Sequence, residues 1–228
     1  MVAAASQCYA ALRPLLQLGD LVLFEGRGAL SEGIKFGTRS RWSHIGMVVC
    51  DAAHDVVLCW ESTTLSNLPD AGGQYLKGVQ LVSLSQRIES YDGDMAIRPL
   101  VGARDAALVA GFRAARAAFA GRPYEARLLN LALAEYDGPG GRAPRDLSSL
   151  FCSELVGATY QAMGLLPAAC NPGEWVPRDF SSDGVRYPTD WVEPHLTAGY
   201  QLEPEVLVDR STPGARGLGP VVPVTRTT

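Results

Sequence analysis

The chain has 228 residues, 47% of them hydrophobic and 19% charged, with a formal net charge of −4 at pH 7. That length suffices for one well-packed domain, and the acidic balance offers no basic footprint to a nucleic-acid backbone. No segment approaches the roughly 18 apolar residues that span a bilayer. Met1 to Leu18 also lacks a basic region ahead of a long apolar run, so neither a signal peptide nor a membrane anchor is expected, and a cytoplasmic location is.

Residues 1–18 read as an N-terminal extension ahead of a single domain over 19–210. GDLVLF (19–24) opens with a turn dipeptide and continues as the first buried strand. Residues 25–41 carry glycines and charges without a period, which predicts a loop with one short helical turn. HIGMVVC (44–50) and VVLCWES (56–62) flank the polar DAAHD (51–55) as the two arms of a hairpin. VQLVSL (79–84) and MAIRPL (95–100) supply two further strands of a small, mostly antiparallel sheet.

Leu108, Phe112, Ala115 and Phe119 then recur at helical spacing, predicting an amphipathic helix over 103–120 that ends at Gly121. A second helix is expected over 125–135, followed by the loop DGPGGRAP (137–144). A third over 148–163 would be capped by Ser148 or Ser149 and stopped by Gly164. Beyond it, repeated prolines impose a loop-dominated path, and 211–228 reads as a flexible tail. The fold class is therefore α+β.

The five cysteines (Cys8, Cys50, Cys59, Cys152, Cys170) are odd in number and irregularly spaced, which argues for reduced thiols. No CxxC pair exists and His44, His54 and His195 are scattered, so no metal or other cofactor is expected. Cys152 falls in the first turn of its helix, where unpaired N–H groups and the helix dipole favour a thiolate and can stabilise an oxyanion. A buried structural cysteine is the competing reading. His44 begins an apolar strand and is the residue type that takes a thiol's proton at neutral pH, although structural histidines are common at strand ends. Glu61 can orient it. Pairing Val49 with Val56 and Val48 with Val57 would set His44 directly opposite Glu61, and a slip of one residue would send Glu61 to the other face.

Taken in order, GDLVLF, TRSRWSHIGMVV, CWES, GRPYE and FCSELV resemble the circularly permuted branch of the NlpC-type papain-like hydrolases. That branch includes the YiiX-like proteins and, more distantly, the lecithin:retinol acyltransferase group. The resemblance implies a permuted papain-like fold with the histidine strand first and the cysteine helix last. It implies Cys152 as nucleophile, His44 as base and Glu61 as the orienting residue. The implied activity is a thiol hydrolase that cleaves an amide, peptide or isopeptide, through a thioester. A lipid-directed acyl hydrolase or acyltransferase with the same triad is the alternative, and a non-catalytic interaction protein that keeps the fold is a further one. The expected partner is a peptide-like or acyl-lipid substrate.

Tyr124, in GRPYE, matches a tyrosine of the family pattern and is a candidate oxyanion donor or a buried core residue. The backbone N–H of Ser153 is a second candidate donor. Trp42 and Trp60 are read as an apolar substrate wall or as core, and Ser43 and Thr38 as residues of the histidine's loop. Trp175 and Arg178, in GEWVPRDF, are candidates for shaping specificity. His54 is expected in the hairpin turn, and the remaining cysteines in packing.

Overall fold

The computed structural model describes residues 5–51, 55–124, 151–182 and 195–210. Its centre is a sheet of seven strands: β1 (Ser6–Cys8), β2 (Leu21–Gly26), β3 (His44–Asp51), β4 (Val56–Thr63), β5 (Gly78–Ser83), β6 (Gly93–Arg98) and β9 (Val206–Asp209). They lie in the order β1-β9-β6-β2-β3-β4-β5, and every pairing except β1 with β9 is antiparallel. A two-stranded ribbon, β7 (Leu100–Val101) with β8 (Gln201–Leu202), sits apart from it. The architecture is a mixed α+β fold with a mostly antiparallel sheet.

Both faces of the sheet are covered, which explains why GDLVLF is apolar without alternation. Leu21 and Leu23 enter one core, together with Ile45, Met47 and Trp60. Val22 and Phe24 enter the other, together with Val48, Cys59 and Val82. Helices α4 (Ala106–Phe119) and α5 (Cys152–Ala162) cover the first face. Helices α1 (Tyr9–Leu12) and α3 (Leu84–Ser90) cover the second.

The expected stripe of Leu108, Phe112, Ala115 and Phe119 is the buried face of α4. Asp105 caps that helix by accepting the Leu108 N–H at 2.8 Å. Gly111 lets α4 approach the end of α5, since a Cβ there would stand 2.1 Å from the Ala162 carbonyl oxygen. α5 is pinned to the sheet by side chains at its far end. The Trp60 indole N–H donates to Thr159 Oγ1 at 3.1 Å, and the Tyr160 hydroxyl donates to the Gly19 carbonyl at 2.5 Å. Two 3-10 turns, Pro172–Glu174 and Pro177–Phe180, follow it in the proline-rich stretch.

Several elements differ from the sequence expectation. Residues 25–41 contain a ten-residue helix, α2 (Ala29–Thr38), ended by Arg39 in the left-handed conformation at φ 51°. Gly33 and Gly37 interrupt its apolar pattern and disguise it. The strand expected over 79–84 stops at Ser83, whose hydroxyl accepts the Gln86 N–H at 3.4 Å and starts α3. The segment expected as an N-terminal extension joins the domain: β1 pairs with β9, while Tyr9, Leu12 and Leu16 are buried in the second core. The helix expected over 125–135, the loop at 137–144, the caps Ser148 and Ser149, His54 and the tail over 211–228 lie outside the described residues.

Trp60 has no exposed surface and touches the ring of Phe112 edge-on at 6.1 Å. Replacing it with alanine removes both that packing and the tie to Thr159. Trp60→Ala should lower the unfolding free energy by about 3–5 kcal/mol, read as a lower midpoint in urea denaturation.

Candidate active site

Two element starts meet at this site. His44 is the first residue of β3 and Cys152 the first of α5. His44 Nε2 donates to Glu61 Oε2 at 3.0 Å. That leaves Nδ1 for the Cys152 thiol, with which the imidazole also shares a hydrogen bond. The structure therefore brings Cys152, His44 and Glu61 into one connected chain of side chains.

The hairpin register differs from the expected one. Gly46, not His44, lies directly across from Glu61, and Val49 pairs with Leu58. Pairing continues through Cys50 with Val57 and Asp51 with Val56, two residues further toward the turn than the composition of DAAHD suggested. A slip of two keeps the same face, so Glu61 remains on the side of His44 as a diagonal neighbour. Gly46 opens the path between them. A Cβ at that position would stand 2.6 Å from Cys59 Sγ and 3.4 Å from the Glu61 Cβ.

Glu61 is wholly buried and saturated with donors. Its Oε1 accepts Arg87 Nη2 at 2.6 Å, Arg87 Nε at 3.0 Å and Gln80 Nε2 at 3.1 Å. Arg87 is itself wholly buried, and its Nη1 donates to Asn67 Oδ1 at 2.9 Å. Burial would raise the carboxyl's proton affinity. The His44 hydrogen bond and the Arg87 charge outweigh it, and the carboxyl is held below its ordinary value. At His44, burial would lower the affinity for a proton. The charge and hydrogen bond of Cys152, followed by those of Glu61, reverse that and raise it to about 9.

Helix α5 starts without a side-chain acceptor at its N-cap, Phe151, and its first helical bond runs from the Leu155 N–H to the Phe151 carbonyl at 2.9 Å. The N–H groups of Cys152 and Ser153 consequently precede the intrahelical ladder. The Ser153 hydroxyl donates to the Trp175 carbonyl at 2.6 Å, which ties the helix start to the first 3-10 turn. Tyr124 meets the Phe151 ring edge-on at 6.0 Å, and its phenol is pushed up by burial and by the charge of Cys152, so it lies within that group's field.

Other expectations are revised. Trp42 and Trp60 are 2% and 0% exposed and belong to the core, so neither lines an open wall. Trp175 and Arg178 are buried as well, with Trp175 against Gly157 of α5, which it braces. Ser43 accepts the Gly26 N–H at 3.0 Å and shapes the turn into β3, while the Thr38 hydroxyl bonds back to the Ile34 carbonyl at 2.8 Å. Among the described residues, none of the five cysteines forms a disulfide.

Sequence reasoning passed over Arg87, Gln80, Asn67 and Tyr91. Gln80 had a visible signal, a polar residue inside the apolar run VQLVSL, and it stands directly across from Glu61. Tyr91 hydrogen-bonds Ser43, feels the charges of Cys152 and Glu61, and is pushed up to about 12, chiefly by burial. Its ring and that of His44 both touch Phe24, at 4.9 and 4.8 Å.

A scan against protein-family models finds no match, and a search of curated proteins finds none. Among solved structures, the chain is similar to the crystal structure of the metalloprotein YiiX from Escherichia coli O157:H7, with 20% sequence identity and a TM-score of 0.44. The similarity covers 64% of this chain and 64% of that one. Among the described residues, no three His, Cys, Asp or Glu side chains gather as a metal site, and no helix is long and apolar enough to cross a membrane.

Gly46→Ala should collide with Cys59 Sγ and crowd the Trp60 carbonyl, and so shift the strand that carries Glu61 relative to His44. The expected result is a loss of about 1–3 kcal/mol of stability through overpacking. A slower alkylation of Cys152 by iodoacetamide should accompany it, measured in the folded variant.

Proposed function

We propose that this chain is a thiol hydrolase that cleaves an amide bond, peptide or isopeptide, on a circularly permuted papain-like fold. One observation carries the reading: a single imidazole joins a thiol at a helix start to a buried carboxylate. The chain order of histidine strand, glutamate strand and cysteine helix supports the permuted assignment. So does the mostly antiparallel sheet between them.

In this mechanism the Cys152 thiolate attacks the carbonyl carbon, and the electrons of the C=O bond move to oxygen. The backbone N–H of Ser153 and the Tyr124 hydroxyl are the proposed donors to that oxyanion. The His44 imidazolium gives its proton to the amine nitrogen as the C–N bond breaks, leaving an acyl thioester on Cys152. Neutral His44 then takes a proton from water as the water attacks the thioester. Collapse of the second tetrahedral species releases the acid and restores the thiolate–imidazolium pair. Glu61 accepts the Nε2 proton's hydrogen bond throughout and is not itself protonated.

A lipid-directed acyl hydrolase or acyltransferase is the second reading, and a specific feature favours it. Helix α2, which leads into the His44 loop, leaves Phe36 88% exposed and Leu30 46% exposed. Peptide-like and lipid-like electrophilic probes separate the two. Labelling of Cys152 by the peptide-like probe supports the amide reading, and labelling by the lipid-like probe alone replaces it.

Two measurements test the chemistry. Cys152 should react with iodoacetamide at pH 7 faster than a free model thiol, and His44→Ala should slow it by roughly 100-fold, the scale of a lost acid–base partner. A rate equal to the model thiol's and unchanged by His44→Ala would leave only a non-catalytic protein. The pH dependence has a definite sign. His44 keeps its proton up to about 9, so amide cleavage should fall on the alkaline side with a midpoint near that value, as the proton owed to the leaving amine is lost. The associated stability is fully present below the unfolded value of 6.5 and disappears as pH rises through about 9.

A further inference from the structure

Behind the three proposed reacting residues lies a charged side chain that none of the motifs contains. Arg87 has no exposed surface and reaches Glu61 from α3, on the sheet face opposite α5. Its Nε and Nη2 both donate to Glu61 Oε1, at 3.0 and 2.6 Å, and Gln80 Nε2 joins them at 3.1 Å. Three donors sit on Oε1, and among the described residues the donor to Oε2 is His44. Asn67 Oδ1 holds the far side of the guanidinium at 2.9 Å. On the reading of Cys152, His44 and Glu61 as the reacting triad, we infer that Arg87 is a positioning residue that keeps Glu61 ionised and aimed, and through it keeps the His44 proton available to Cys152.

The physical case is one of charge in a dry site. A carboxylate with no exposed surface retains its charge only beside an opposite charge, and otherwise takes up a proton. Neutral Glu61 would be a weaker acceptor for the Nε2 proton, and the imidazolium would lose its opposing charge. Among the described residues, the titratable groups facing this pair are Arg87 and Tyr91, from α3 and the residue after it, Cys59 from β4 itself, and Cys152 from α5. Only Arg87 is a permanent cation among them. A purely structural arginine would instead tie α3 to β4 and leave the imidazole's titration where it stands.

The experiment is an NMR titration of histidine-labelled full-length protein, with urea denaturation and iodoacetamide kinetics on the same samples. Arg87→Met should move the His44 titration down from about 9 by one pH unit or more, a tenfold loss of proton affinity. Alkylation of Cys152 at pH 7 should fall with it. Arg87→Lys keeps the charge without the two-nitrogen fork, so its titration should lie between those of wild type and Arg87→Met. In a Glu61→Gln background, Arg87→Met should change the His44 titration no further. A His44 titration unmoved in Arg87→Met, whatever the loss of stability, overturns the inference. So does an effect that persists undiminished with Glu61→Gln. If Arg87→Met does not fold, Arg87→Lys decides, and an unchanged titration there is equally fatal. Alkylation that depends on His44 but not on Arg87 sinks this inference alone. Alkylation indifferent to His44 sinks the triad itself.

Discussion

The arrangement depends on one buried carboxylate. Glu61 sits on β4, one strand in from the β5 edge of the seven-stranded sheet, with no exposed surface, where an uncompensated charge costs about 3–5 kcal/mol. Every element that touches it brings a donor: β3 through His44, β5 through Gln80, α3 through Arg87. Satisfying Glu61 therefore specifies more than one ion pair. It fixes which face of β4 looks toward α3, the register of β5, and the nitrogen of His44 that carries the proton.

The thiol arrives by a separate route. α5 packs on the other face of the sheet, through Leu155, Val156 and Tyr160. Trp60 holds its last turns and Trp175 its first. Trp60 and Glu61 are neighbours in sequence that point to opposite faces, so one dipeptide of β4 secures both halves of the site. Glu61 orients the imidazole, and Trp60 anchors the helix that carries Cys152. The WE pair in CWES is the point where core packing and site chemistry are joined.

That division explains what could be read from the amino-acid sequence. Apolar runs and a helical stripe are local patterns, so β2, β3, β4 and α4 are legible, as is the helix carrying Cys152. His44 and Cys152 belong to the two most specific motifs, SHIGMVV and FCSELV. The register of the hairpin was not legible to the residue, because DAAHD has the composition of a turn while Asp51 still pairs as a strand. The misplacement is harmless since side-chain direction repeats every two residues. Helix α2 was hidden by its two glycines, and α3 by the apolar run of β5 that leads straight into it. Arg87 was hidden for a deeper reason. A charged residue in LSQRIES reads as the solvated side of a short helix, and only the tertiary position of Glu61 gives it a reason to be buried.

The charges of the site then fall into an alternating line. The proposed thiolate of Cys152 faces the His44 imidazolium, which faces the Glu61 carboxylate, which faces the Arg87 guanidinium. On that proposal two anions and two cations sum to zero, and each ion is flanked by opposite charge. The order matters more than the sum. Glu61 lies between two cations, and its donors divide unequally, three N–H groups from Arg87 and Gln80 on one oxygen and one from His44 on the other. Its charge is thus committed mainly to the guanidinium. A carboxylate so occupied orients the imidazole without drawing the Nε2 proton off it, and leaves Nδ1 as the nitrogen through which protons pass in the proposed mechanism.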